Sequence, residues 1–573
     1  MKDSVIKYIF KLFHYLIISL IFYSCAQVVA PAGGLKDVTP PRVVKYVPDS
    51  AAINFKTKNI NIYFNEYIQL KDVNSQLIIS PPVQKQPTVK VKNKILQVEF
   101  EEFLKDSTTY SMNFGNAISD YTESNALENF RYVFSTGPYI DSLSVSGKVE
   151  NAFDHKAEKG ILVMLYSNMD DSIPFKKIPD YFTKTKEDGS FKINNIRNGK
   201  YRAFALKDIN ANYIYDSPEE SIGFRDSIID LQKDTVITIS LFKEKLKKQF
   251  LRKASAIEYG HILFVFNKPI ENLEITALNF TAKKEWRMDE YNANRDTLNC
   301  WLIGAGSLDT LKLQVSDNNK ILDTVEIKTI SREQKSGAGR GKGAKFELSM
   351  KTNVGNGLFD LDKKIMIEFS HPINKFKEMS TELGTLDSTK KVYPYAGIDK
   401  LSSRKFLISY LSIDTVAGGN EKSQKTNFPA KAESLKENMN YHLLIPSQTF
   451  TDIFELSNDT LKVDFKTQEL KYYGTLKLKL KIPGTDKQYV VQLLTEKGNL
   501  VREDNVSKAE TINYEYLHPG KYLVKIIYDT NKNDKWDTGD YLKKQQPEKV
   551  IFYSGEVNIR SNWDLEQEWK VEQ

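Results

Sequence analysis

The chain has 573 residues with 81 Lys and Arg against 74 Asp and Glu, a net charge of +7; at roughly 100–200 residues per domain, this length forecasts three to five domains. A hydrophobic content of 40%, with 30 Tyr and 31 Phe, can fill real cores and excludes disorder as the general state. Two cysteines exclude a disulfide scaffold, and the lack of a second long apolar run excludes a multi-pass membrane protein.

Lys2, Lys7 and Lys11 open the sequence, and an apolar run follows from Leu12 to Tyr23. The run is short for a spanning helix and suits the core of a secretory signal. It stops at Ser24-Cys25, a small residue followed by a cysteine. This arrangement resembles a bacterial lipoprotein signal. The resemblance implies a signal peptide over 1–24, cut before Cys25, and a diacylglycerol on the Cys25 thiol. At about 0.8 kcal/mol per buried methylene, several acyl chains would hold the protein durably in outer-membrane lipid. Phe22 and Tyr23 are bulkier than the usual residues before such a cysteine; an ordinary cleaved signal peptide and an uncleaved anchor are the alternatives. Residues 25–36 read as a tether, uncharged from Ala26 to Gly34. Neither an Asp nor an acidic cluster follows Cys25. By resemblance to the sorting of Gram-negative lipoproteins, that start implies the outer membrane, with the periplasmic face favoured over the cell surface. Losing 1–24 removes three Lys and one Asp, so the net charge falls by two to +5. That is too mild and dispersed to argue for a nucleic-acid partner.

From residue 37 the reading is strand after strand. Ile60, Ile62 and Phe64 alternate with polar neighbours and lead through Asn65-Glu66 to Ile68. The same pattern returns at Ile262 to Ile270 and at Ile365 to Ile373, each a half-buried strand broken by a turn. Leu96, Val98 and Phe100 alternate likewise, as do Phe130, Tyr132 and Phe134, so 37–138 predicts a β-sandwich. Thr39-Pro40-Pro41, Phe64-Asn65-Glu66, Leu104 to Tyr110, Ile118-Ser119-Asp120 with Asn125, and Phe134-Ser135-Thr136-Gly137 come in order. On these elements the segment resembles the bacterial Ig-like module of the S-layer protein SbsA. Degenerate copies are expected at 248–330 and at 346–467, the latter closing on Asp464-Phe465-Lys466-Thr467. The chain as a whole resembles bacterial lipoproteins with such an N-terminal module.

A second unit occupies 140–242 and 468–573. Gly199-Lys200-Tyr201 stands nine residues before Asp208, and Gly520-Lys521-Tyr522 nine before Asp529; an offset of 321 continues without a gap to Tyr215-Asp216 and Trp536-Asp537. Upstream, Asp188-Gly189-Ser190-Phe191 offers a turn and a strand. This unit resembles the prealbumin-like or carboxypeptidase-regulatory-like β-sandwich, although the second copy has His518-Pro519-Gly520 and no Asp-Gly turn. Between the units lie a basic connector from Leu241 to Arg252, read as solvated surface, and a Gly- and Lys-rich linker over 331–345. Residues 418–436 read as a long polar loop. Trp563 to Gln573 reads as a strand closing the last sandwich, with a docking tail as the alternative.

One constellation points to a cation. Counting Asp208 as position 1, Asn210, Asn212, Asp216 and Glu219 fall at 3, 5, 9 and 12; counting from Asp529, so do Asn531, Asn533, Asp537 and Asp540. Ca²⁺ takes six to eight oxygens, and this is the ligand spacing of an EF-hand-type loop. Position 6, ordinarily Gly, is Tyr213 or Asp534. The alternatives are a stack of Asx turns, in which Asp and Asn side chains bond their own backbone, and a partner contact. Cys300, within Thr297 to Leu302, reads as a buried inert thiol on a strand. The six histidines have no zinc spacing, no nucleophile elbow or phosphate loop occurs, and His371 reads as a surface residue. No cofactor is required on this reading beyond the candidate Ca²⁺.

The expectation is an all-β tandem array of about five sandwiches in a lipid-anchored rod. Its function would be that of a non-enzymatic envelope scaffold or accessory subunit, binding an envelope protein partner at the outer membrane. Modules of this kind serve elsewhere as spacers and platforms, a fold-level analogy. A surface adhesin or glycan-binding lipoprotein is one alternative, and a hydrolase with a site between domains is the other.

Overall fold

The computed structural model describes residues 37–128, 130–217, 219–304, 309–332, 346–355, 357–377, 380–385, 396–412, 431–483 and 487–571. It is 51% strand and 2% helix, distributed over many separate sheets, and the tandem β-sandwich architecture holds. The chain forms two compact units; the first runs to Glu150 and includes Ala157–Asp216 and Gly223–Leu241, and the second is the remainder. The signal segment and tether, with Cys25, lie outside the described residues, as does 333–345 of the expected linker.

In the first unit, the strand Asn59–Phe64 buries Ile60, Ile62 and Phe64 and turns the intervening residues outward, the period-2 consequence of the pleat. Its sheet runs Val43–Val47, Asn59–Phe64, Ile95–Glu99, Thr88–Lys92, all antiparallel. A three-stranded sheet of Ile78–Ser80, Thr109–Asn113 and Arg131–Ser135 supplies the other half of the core. There the Phe134 ring lies 4.1 Å from Phe55 and 5.5 Å from Tyr110.

The matching motif elements each satisfy backbone that the strands leave unpaired. Asn65 Oδ1 accepts the Arg42 N–H at 2.6 Å. The Thr136 hydroxyl donates to Lys105 O at 2.6 Å and accepts the Thr108 N–H at 3.0 Å. Buried Asp120 accepts the N–H groups of Glu123, Ser124 and Asn125.

The second sandwich of this unit has its own core, from Val145 to Leu241. One sheet orders Ser190–Ile196, Leu143–Asn151, Thr235–Leu241, and the other carries Tyr181–Lys184, Leu162–Tyr166 and Gly199–Lys207 side by side. Gly147 permits the central approach: a Cβ there would sit 1.7 Å from Ile237 O.

Among its described residues the second unit holds three large cores and a small cluster of Val490, Ile527 and Val550. Its first sheet orders Leu251–Glu258, His261–Phe266, Thr297–Leu302, Arg287–Tyr291, and a later one orders Met350–Thr352, Ile365–Phe369, Lys405–Ser412, Ala396–Lys400. Both repeat the order of the sheet led by Val43–Val47. At the aligned positions Phe266 and Phe369 are buried like Phe64, and Ile270 and Ile373 like Ile68. Asn267 Oδ1 accepts the Phe250 N–H and Ser370 Oγ the Ser349 N–H, as Asn65 does for Arg42. The worn ending also works: the Thr467 hydroxyl donates to Lys436 O at 2.5 Å and accepts the Met439 N–H at 3.0 Å.

In the last sandwich, Gly474–Lys481 lies between Glu510–Leu517 and Asp564–Lys570, the latter parallel to it. Gln488–Thr495 lies between Leu500–Val506 and Gly520–Asp529. The C-terminal segment is therefore the closing strand, with Trp569 buried and Trp563 exposed. The segment expected as one loop over 418–436 contains a strand, Lys431–Glu433, paired with Lys405–Ser412; residues 413–430 lie outside the described ones.

Candidate functional site

The two Asp/Asn loops follow equivalent strands, Gly199–Lys207 and Gly520–Asp529. Each strand is tied by its tyrosine: Tyr201 donates to Arg197 O and Tyr522 to His518 O, both at 2.8 Å. In the first loop, Asp208 accepts the Asn212 N–H at 3.3 Å and the Tyr213 N–H at 2.9 Å, and Asn212 Oδ1 accepts the Ile214 N–H. The second loop repeats this with Asp529, the N–H groups of Asn533 and Asp534 at 3.1 and 2.8 Å, and Asn533 Oδ1 accepting from Lys535. Amides at positions 3 and 5 converge on position 9: Asn210 and Asn212 donate to Asp216, and Asn531 and Asn533 to Asp537.

Position 6 needs no glycine. Tyr213 and Asp534 adopt φ of 64° and 62°, and Ala211 and Lys532 both adopt 59°. L-residues avoid this left-handed region; the Asp208 and Asp529 carboxylates hold the backbone there by accepting the neighbouring N–H groups.

The loops diverge at their acids. The connector read as solvated surface supplies Lys245, whose ammonium pairs with Asp537, while Lys543 lies 3.5 Å from Asp540. Burial alone would raise the Asp537 carboxyl, but Lys245 and the two amides hold it below its ordinary value. Glu548, which no spacing signals, accepts from Thr530 and from the Asp537 N–H. Glu219 is drawn to Lys243 at 2.5 Å and to Arg252 at 3.5 Å. Among the described residues no three His, Cys, Asp or Glu side chains are grouped to hold a metal.

Cys300 is fully buried on Thr297–Leu302, and burial pushes its thiol far up, away from the reactive thiolate. His371 corrects the surface reading. It is 1% exposed, with Phe346 and Phe454 of its own sandwich and Trp301 of the adjoining one packed around its ring. Every described carboxyl with a resolved shift, including Glu258 and Asp360, moves down rather than up.

One concave feature is a cavity of about 460 Å³ beside Trp286, within the size range of ligand pockets. Leu302 and Leu311 form its buried floor, and exposed Lys283 and Glu285 stand at its rim. The Phe280 and Trp286 rings meet edge to face at 5.3 Å. Arg287 lies 5.1 Å from the indole and is fixed by Ile275 O and Asp289.

Residues 37–136 match the family model described as a bacterial Ig-like domain. No curated protein matches the chain. Among solved structures it is similar to the Bacillus anthracis TIE protein, at 10% identity over 94% of this chain and 76% of that one, with a TM-score of 0.14. The S-layer protein SbsC aligns at 9% identity over 91% of this chain and 67% of its own, TM-score 0.13. The Bacillus cereus major pilin subunit BcpA aligns at 9% identity over 75% and 99%, TM-score 0.13. Likenesses this distant carry no argument about function.

Proposed function

We propose that the protein is a non-enzymatic, lipid-anchored envelope scaffold. Acylated Cys25 would hold it at the outer membrane, periplasmic face favoured, where it presents a binding surface to an envelope protein partner. The observation that carries this reading is the series of five large, separate cores among the described residues. The chain repeats small closed bodies, an arrangement that gains surface and span and leaves each body's framework free to carry a contact. The cavity beside Trp286 suits the partner: an apolar floor, an aromatic wall and a charged rim are the anatomy of a pocket that receives one anchoring side chain.

Fractionation tests the anchor. Cys25→Ala should move the protein from the membrane to the soluble fraction, and unchanged partitioning would refute lipidation. Protease shaving of intact cells should leave the wild type intact; digestion would favour the adhesin reading. Cross-linking in solubilised outer membranes, run beside Trp286→Ala, tests the surface. A cross-linked species that survives the substitution unchanged would remove the cavity from the reading.

A further inference from the structure

The seam between the sandwich built on His261–Phe266 and the one built on Ile365–Phe369 is lined by rings. Tyr259 lies 5.3 Å from Phe346 and 5.5 Å from Phe454. Gly260, at φ 69°, admits the Phe454 ring so closely that a Cβ would come within 2.5 Å of it. Trp301 stacks on His261 at 3.9 Å and meets His371 edge-on at 6.0 Å. Within this apolar lining His371 faces two acids. Its Nδ1 lies 2.7 Å from Asp452 Oδ2, and its Nε2 lies 3.8 Å from Glu258 Oε1 on the preceding sandwich. His261 Nδ1 is 3.4 Å from the same Glu258 oxygen.

Asp452 is already committed as an acceptor. Its Oδ1 takes the N–H groups of Phe454 and Leu456, so the oxygen facing His371 completes a fully buried carboxylate. A neutral imidazole has one N–H and one lone pair. With a carboxylate before each nitrogen, the neutral ring must aim its lone pair at one of them, and only the imidazolium suits both. Among the described residues two arginines also reach the seam. Arg404 pairs with Glu290 at 2.6 Å and lies 4.0 Å from Glu368, and Arg332 donates to Phe454 O.

We propose that His371 is a proton-operated clasp: as the imidazolium it bridges Asp452 of its own sandwich to Glu258 of the preceding one, and loss of that proton loosens the seam.

The titration direction agrees with the geometry. Burial alone would lower the His371 pKa, but Asp452 and Glu258 outweigh it and raise it above 6.5. The clasp is therefore at full strength below 6.5 and is lost as pH rises through the raised value. Burial would raise Glu258, but His261 and His371 outweigh it and bring it to about 2. Its contribution is complete above 4.5 and is lost as pH falls through about 2. The seam is strongest between 4.5 and 6.5.

The test uses the full chain labelled with ¹³C-histidine, whose six histidines are few enough to assign by substitution. In the wild type the His371 ring should be mostly protonated on both nitrogens at pH 6.5 and titrate above that value. A neutral ring there, or a titration at or below that value, would overturn the proposal. Hydrogen exchange at the Phe454 and Leu456 amides reads the seam. After correction for intrinsic rates, protection should fall about tenfold per pH unit between 6.5 and the ring's own pKa. His371→Gln should flatten that dependence and His261→Gln should keep it. The same pH dependence in His371→Gln as in the wild type would overturn the proposal.

Discussion

Thr467 shows how much one hydroxyl can carry. It donates to Lys436 O and accepts from the Met439 N–H, and the Tyr441 hydroxyl accepts the Lys436 N–H at 2.8 Å. The first Ig-like sandwich makes the same three bonds with Thr136, Lys105, Thr108 and Tyr110. Thr467→Val keeps the shape and takes the hydroxyl partner from two part-buried backbone groups, so urea unfolding of the full chain should show a loss of about 0.5–1.5 kcal/mol per bond, with Thr467→Ser close to the wild type. This threonine was legible because its partners lie in the adjacent loop, at distances the motif itself fixes. His371 was not. The pattern aligns it with Glu66 and Lys268, both partly exposed, whereas contacts distant in sequence bury it: Asp452 and Phe454 of its own sandwich and Trp301 of another. Cys300 was legible for the opposite reason, since strand alternation alone assigns it to the inner face.

The loops at 208–219 and 529–540 are one element written twice. Asx bonding was one of the readings their spacing left open, because an Asp reaching the N–H groups four and five residues on is a local event. What spacing could not give was Lys245, an ammonium delivered to Asp537 from 292 residues away. With that cation already in place, chelation should leave the melting of the last sandwich in the full chain unchanged. Lys245→Ala should create a response to added Ca²⁺, seen as a raised melting temperature that Asp529→Ala abolishes. A wild-type chain that melts lower on chelation would show that the ion, not the lysine, holds the loop. The ammonium itself is mostly exposed, so its loss alone should cost less than about 1 kcal/mol.

At the scale of the whole molecule, the five large cores of the described residues, in two compact units, should not melt as one. Calorimetry should resolve more than one transition. Leu478→Ala, in the fully buried row of the last sandwich, should lower one of them by about 2–5 kcal/mol and leave the others in place. A single transition that shifts as a whole would contradict the separateness of the cores. The repeated sheet orders were foreshadowed by the three aligned strands and by the 321-residue offset, since repeating inward faces demand repeating partners.

The parallel strand Asp564–Lys570 carries one more consequence. Gly474–Lys481 receives it as a neighbour only after some ninety intervening residues have left the ribosome. Until then Leu476, Leu478 and Leu480 border an open edge, and a chain stopped by a nonsense codon before Asp564 keeps that edge for good. Such a fragment would present proteases and chaperones with a ready label of incompleteness, and the tail of another copy would be its nearest substitute partner.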